Sequence, residues 1–185
     1  LYYHRIEQDP NPGDRAQVYL GDGTGKFTHK ANNGLTELGL INYRAFSALD
    51  YDRDGNLDLF IPTWFKDYTN NVWDHARLMK GRGDGTFEDV TTSSGINNYP
   101  EPMYGAAATD WNNDCNTDIF TAPYCRTGGK LFRNEGNGSF ASIGETVGYD
   151  LARTGDRQPS CTFGVYPEDV NNDGYMDMFL AVVHG

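Results

Sequence analysis

No run of apolar residues in the chain approaches the ~20 needed for a helix to cross a bilayer, so no part of it reads as a membrane-spanning helix. No stretch sustains a 3.6-residue apolar period, which excludes long amphipathic helices. Histidine is scarce. His4, His29, His75 and His184 are scattered and share no metal-ligand or triad spacing, so they read as ordinary surface or core residues. Positive charge is short as well: 15 Lys and Arg stand against 26 Asp and Glu, and the net charge of −11 argues against nucleic acid and anionic membrane surfaces as partners. Cysteine numbers 3, an odd count that leaves a thiol unpaired. Leu1 in place of an initiator Met, and an end at Gly185 just after a strand-like run, read as a processed or partial chain.

Glycine, by contrast, is abundant at 22, and the 12 Tyr and 10 Phe match it, a balance that favours short strands and tight turns. The stretch that organises the chain is Asp50-Tyr51-Asp52-Arg53-Asp54-Gly55-Asn56-Leu57-Asp58, running into Leu59-Phe60-Ile61. Its carboxylates fall at positions 1, 3, 5 and 9 of a nine-residue loop. A packed core would not accept them unpaired, and on an empty loop they would repel one another. Alternate residues of a tight turn can aim at one point, the carbonyl of position 7 adds an oxygen, and glycine at position 6 permits the bend. An all-oxygen site of this kind suits a hard cation, calcium before magnesium. The pattern returns at Asp110–Asp118, 60 residues on, and at Asp169–Asp177, 59 residues after that. Three loops in register are poorly explained as solvated acidic turns. Three divalent ions would bring the net charge from −11 to about −5.

A second element alternates with the first. Val18-Tyr19-Leu20, Leu78-Met79-Lys80 and Leu131-Phe132-Arg133 each lead into a Gly-rich turn and a phenylalanine, Phe27, Phe87 or Phe140, the pattern of a β-hairpin. Small residues precede the acidic loops, as in Gly105-Ala106-Ala107-Ala108, and suit a strand close to a crowded axis. A unit of about 60 residues with four short antiparallel strands predicts a β-propeller blade. The chain reads as one all-β domain over 1–185, with repeats near 1–40, 41–100, 101–158 and 159–185, partial at both ends. With about three blades it is too short to close alone, so further blades or neighbouring chains are expected over its edges.

The acidic loop followed by an apolar strand, with Gly-Asp-Gly-Thr-Phe hairpins between, resembles FG-GAP/VCBS repeats. These build the propellers of integrin α-chains, of secreted proteins similar to cartilage acidic protein and of many bacterial surface proteins. The resemblance implies a β-propeller with calcium in the loops. By position, the implied ligands are Asp50, Asp52, Asp54, Asn56 (carbonyl) and Asp58; Asp110, Asn112, Asp114, Asn116 (carbonyl) and Asp118; and Asp169, Asn171, Asp173, Tyr175 (carbonyl) and Asp177. Cys115 departs from the pattern by standing where glycine is expected, which strains or weakens the second site if position 6 needs a positive φ.

An EF-hand is excluded, because its position 12 wants a bidentate glutamate and Ile61, Thr121 and Leu180 stand there. Arg82-Gly83-Asp84 spells an integrin-recognition tripeptide but fits the ordinary hairpin turn of the repeat. Asn137-Gly138-Ser139 is a formal glycosylation sequon. The carboxylates of the acidic loops are accounted for by the metal reading, so none of them is obviously free for acid–base work. An insertion after the first acidic loop carries Trp64, Phe65, Tyr68 and Trp73, which read either as rings packed over a blade edge or as a binding rim. That insertion and the 149–160 connection are expected together on the face opposite the acidic loops. Cys115 and Cys125 bracket one strand and are too far apart to pair, whereas the order of elements permits a Cys125–Cys161 bridge between adjacent blades. The expected function is a calcium-binding extracellular, cell-surface or periplasmic propeller that serves as a protein or glycan interaction module. The alternatives are part of a propeller-based polysaccharide-active enzyme and a structural subunit of a surface assembly.

Overall fold

We describe residues 16–39, 42–67, 70–125, 127–149 and 161–183 of a computed structural model of the chain. Strands β1 (Val18–Gly21) and β2 (Phe27–Lys30) form a two-stranded hairpin. Strands β3 (Ser47–Leu49) and β4 (Asp58–Ile61) follow, then a separate small hairpin, β5 (Phe65–Asp67) and β6 (Val72–Trp73). With β7 (Arg77–Gly81) and β8 (Phe87–Asp89), β3 and β4 complete a four-stranded sheet in the order β3-β4-β7-β8. The next four strands, β9 (Met103–Thr109), β10 (Asp118–Pro123), β11 (Leu131–Asn134) and β12 (Phe140–Ser142), repeat that order. Strands β13 (Cys161–Glu168) and β14 (Asp177–Val183) form a last antiparallel pair. The result is the expected all-β arrangement: the closing half of one blade, two whole blades and the opening half of another.

The sheets are short and individually thin, so their stability lies between them. The main core gathers Leu49, Phe60 and Leu78 from one sheet with Ile119, Phe132 and Phe140 from the next. Burying each such side chain is worth roughly 1.5–3 kcal/mol. After each last strand the chain drops an apolar residue into the seam: Leu35, Ile96 and Tyr149, all buried. Leu35 joins Ile61 and Met79, Ile96 joins the main core, and Tyr149 meets Phe120 and Leu131. Backbone ties cross the same seams, with Phe87 N–H donating to Asn33 O at 2.8 Å and Phe140 N–H to Ser94 O at 2.9 Å.

The first strands of successive sheets are neighbours, β3 beside β9 and β9 beside β13. The run Gly105-Ala106-Ala107-Ala108 on β9 suits that crowding, since bulkier side chains would hold the strands apart. Cys125, beyond β10, is disulfide-bonded to Cys161 at the start of β13, with Cα atoms 4.0 Å apart. β10 starts at its acidic loop and β13 ends at its own, so this bridge closes the seam at the end away from the loops. Cys115 is an exposed free thiol.

Candidate metal centre

Each acidic loop joins the first two strands of a sheet, so the hairpin geometry brings both its ends to one edge. The loops fold alike because their carboxylates bind their own backbone. Asp50 accepts N–H donations from Asp54 (3.1 Å) and Gly55 (3.0 Å). Asp110 does the same for Asp114 (3.0 Å) and Cys115 (2.8 Å), and Asp169 for Asp173 (3.1 Å) and Gly174 (2.9 Å). At position 5, Asp54, Asp114 and Asp173 accept from the N–H of position 7, Asn56, Asn116 and Tyr175, at 2.8, 2.8 and 2.9 Å. Such Asx turns are what short acidic side chains stabilise best.

Position 9 closes the loop. Asp58, Asp118 and Asp177 accept the N–H of position 2, from Tyr51, Trp111 and Val170, at 2.9, 3.2 and 3.1 Å. Asp58 and Asp118 also take a backbone N–H from the third strand of their sheet, Gly81 and Asn134, each at 2.8 Å. Both carboxylates are fully buried. Burial raises the Asp58 pKa and pushes Asp118 up to about 6, against the lowering pull of those N–H donors. A buried carboxylate held this way gains from a nearby positive charge. Asn134 links blades too, its Nδ2 donating to Tyr51 O at 2.7 Å.

The backbone explains the glycine at position 6. Gly55 and Gly174 have φ of 84° and 87°, and Cys115 is forced to 67° in the same place. Position 4 is left-handed as well, at Arg53, Asn113 and Asn172 (φ 60°, 59° and 60°). Asparagine suits that conformation better than arginine does. Asn113 Nδ2 also donates to Gly174 O at 3.1 Å, so the second and third loops touch.

Position 3 is where the loops diverge. Asn112 and Asn171 donate through Nδ2 to the Oδ2 of Asp114 and Asp173 at 2.9 and 3.0 Å. That amide is the main reason the Asp114 pKa is lowered. Asp52 offers no donor. Instead the Lys80 ammonium, from β7, contacts Asp52 Oδ2 and lies 2.9 Å from Asp54 Oδ2. These contacts raise the Lys80 pKa and lower that of Asp54.

Among the described residues, Asp50, Asp52 and Asp58 bring carboxylate oxygens within 4.8 Å of one another. Asp52 Oδ1 is buried with no hydrogen-bond partner. A convergent all-oxygen set with an orphaned buried carboxylate oxygen fits a hard divalent cation. The second and third loops keep the same turn but present asparagine at position 3. Of the position 7 side chains, Asn56 lies against Gly83 and Asn116 against Gly136, while Tyr175 is exposed.

The repeated turns account for the Arg82-Gly83-Asp84 tripeptide. Asp84 Oδ1 accepts from Thr86 N–H (2.9 Å) and Thr86 Oγ1 (2.6 Å), as Asn137 Oδ1 does from Ser139 N–H (3.0 Å) and Oγ (2.6 Å) one blade later. Arg82 pairs with Glu88 at 3.0 Å. Of the aromatic insertion, Trp64 and Phe65 are buried, as rings packed over a blade edge would be and unlike a binding rim. Trp64 packs on Phe65, Tyr104 and Tyr124 at ring-centre separations of 5.4, 4.8 and 4.6 Å, and Arg44 caps its face at 4.4 Å. Trp73 is half-buried on β6, while Tyr68 and residues 150–160 lie outside the described residues.

The sequence reading passed over Lys80, whose one signal is its place just before the Gly-rich turn, where Leu20 and Arg133 stand in the other hairpins. It also passed over Glu101, buried between Thr121 Oγ1 (3.2 Å) and Lys130 Nζ (3.4 Å).

A family model, FG-GAP-like repeat, matches residues 9–61 and 110–180, more than half of the chain. The chain belongs to the FG-GAP-like repeat family. The matched spans of this FG-GAP-like repeat chain take in all three acidic loops and the hairpins β1–β2 and β11–β12. A comparison with curated proteins returns no match.

Proposed function

We propose that this chain is a calcium-stabilised propeller segment that works outside the cytosol as a protein or glycan interaction module. The observation that carries the reading is the first loop, where Asp50, Asp52 and Asp58 bring carboxylate oxygens within 4.8 Å of one another on a turn whose position 1 gathers two backbone N–H groups, as it does in all three loops. The proposed ligands are the side chains of positions 1, 3, 5 and 9 with the carbonyl of position 7 in each loop. The cation's role is charge compensation: it offsets the repulsion among converging carboxylates and the cost of burying Asp58 and Asp118.

Affinities of about 0.1–1 mM, usual for extracellular modules, make millimolar calcium worth roughly 0.5–1.5 kcal/mol per site. Loops of that affinity would fill outside the cytosol, and the FG-GAP-like repeat match supports an extracellular, cell-surface or periplasmic assignment. Among the described residues no helix is long and apolar enough to cross a membrane. On the last sheet Tyr166 and Phe179 sit opposite each other with 59% and 55% exposure, a face suited to a further blade or a neighbouring chain.

Thermal unfolding tests the calcium reading. About 2 mM calcium should raise Tm by roughly 5–15 °C over the chelated protein. Equal melting temperatures in calcium and chelator would overturn it.

A further inference from the structure

The first loop is built differently from the other two, and the difference lies in how position 3 meets position 5. In the second and third loops an uncharged asparagine amide bridges them, at 2.9 and 3.0 Å. In the first loop two carboxylates, Asp52 and Asp54, stand there, and the Lys80 ammonium holds them together. Arg133, which occupies the place of Lys80 in the next hairpin, turns instead to Glu135 at 2.9 and 2.7 Å. The basic residue before the turn thus contacts the loop carboxylates directly in the first loop and pairs with Glu135 in the second. Lys80 is also partly solvent-exposed, with 32% of its side chain accessible, so it has a path out.

An ammonium and a calcium ion compete for the same carboxylate oxygens. Asp52 and Asp54 serve both, and the two cations repel each other at contact range. The flexible lysine stem can swing to water at modest cost. We propose that the first loop is a cation-exchange site, in which calcium displaces the Lys80 ammonium from Asp52 and Asp54. The inference rests on the calcium reading above and adds a residue-level consequence: in the first loop a lysine ammonium from this chain competes for the carboxylates. With its extra carboxylate it would be the strongest of the three sites, and Lys80 weakens it.

The test is a calcium titration of the full chain followed by amide NMR, with Gly55 reporting the first loop and Gly174 the third. In Lys80→Met the Gly55 midpoint should fall roughly three- to fivefold, the equivalent of one partly screened ion pair, while Gly174 keeps its midpoint. A Gly55 midpoint that stays the same or rises would show that Lys80 is a fixed supporting partner, and would overturn the exchange. If Gly174 responds to calcium and Gly55 does not in either protein, the exchange fails while the calcium reading stands. If neither amide responds up to about 10 mM calcium, well above the affinity range of such modules, both fail together. A measurement on the unaltered protein covers a variant that does not fold. Lys80 should be protected from acetylation in chelator and become reactive in calcium, read by peptide mass mapping. Equal protection in both conditions would contradict displacement.

Discussion

Cys115 shows what a single residue can cost. Its φ of 67° lies where an L side chain crowds the following carbonyl, at a position that Gly55 and Gly174 fill without penalty. Cys115→Gly should therefore stabilise the protein by roughly 0.5–1 kcal/mol after allowing for the greater freedom of glycine in the unfolded chain. Chemical denaturation checks this, and the site needs no repacking because Cys115 is exposed. Gly81 is the converse case. Its N–H holds Asp58, and a Cβ placed there would lie 2.1 Å from Leu57 O. Gly81→Ala should cost about 2–4 kcal/mol, since backbone rather than a flexible side chain must move. Among the described residues, a Cβ on Gly21, at the same place in the first hairpin, would meet the Phe27 ring at 3.4 Å and Lys26 O at 4.0 Å, ordinary contacts. The three acidic loops and the positive φ at Cys115 were legible in the sequence, because both follow from local spacing. Lys80 was not, because its contact joins residues 28 apart through strand pairing rather than through spacing within the loop.

At the scale of elements, hairpins and loops followed from local chemistry and the seams between sheets did not. The Gly-rich turns fold as their Asp84 and Asn137 caps dictate, which gives the Arg82-Gly83-Asp84 tripeptide a structural reason to exist. The fate of the aromatic insertion was set by partners distant in sequence. Trp64 is buried because Tyr104 and Tyr124 reach it from the neighbouring blade, and nothing within residues 62–75 announces them. The Cys125–Cys161 bridge was legible as permitted by strand direction, and the structure makes it. It ties sheets that otherwise meet through packing and the Asn113–Gly174 hydrogen bond, and it closes a loop of sequence separation 36. Replacing both cysteines with serine should cost roughly 3–4 kcal/mol on the chain-entropy model. Urea unfolding of that variant, beside the parent protein with and without reductant, checks it. The parent should lose the same increment on reduction.

Across the whole molecule, charge and packing have separate seats. Apolar side chains fill the seams between sheets, while the acidic loops gather at the edge where the first two strands of each sheet turn. The disulfide lies at the other end. A net charge of −11 concentrated partly in three loops leaves the metal-free protein under self-repulsion that three divalent ions would largely relieve. The contact between Asn113 and Gly174 makes that charge a shared concern of neighbouring blades. The most direct measurement is the calcium content of the folded chain, by equilibrium dialysis against about 5 mM calcium, enough to fill sites of extracellular affinity. The account predicts about three ions per chain, falling by one when Asp50, Asp110 or Asp169 is changed to Asn. A folded chain that retains no calcium, or whose calcium content is unmoved by all three substitutions, would contradict it.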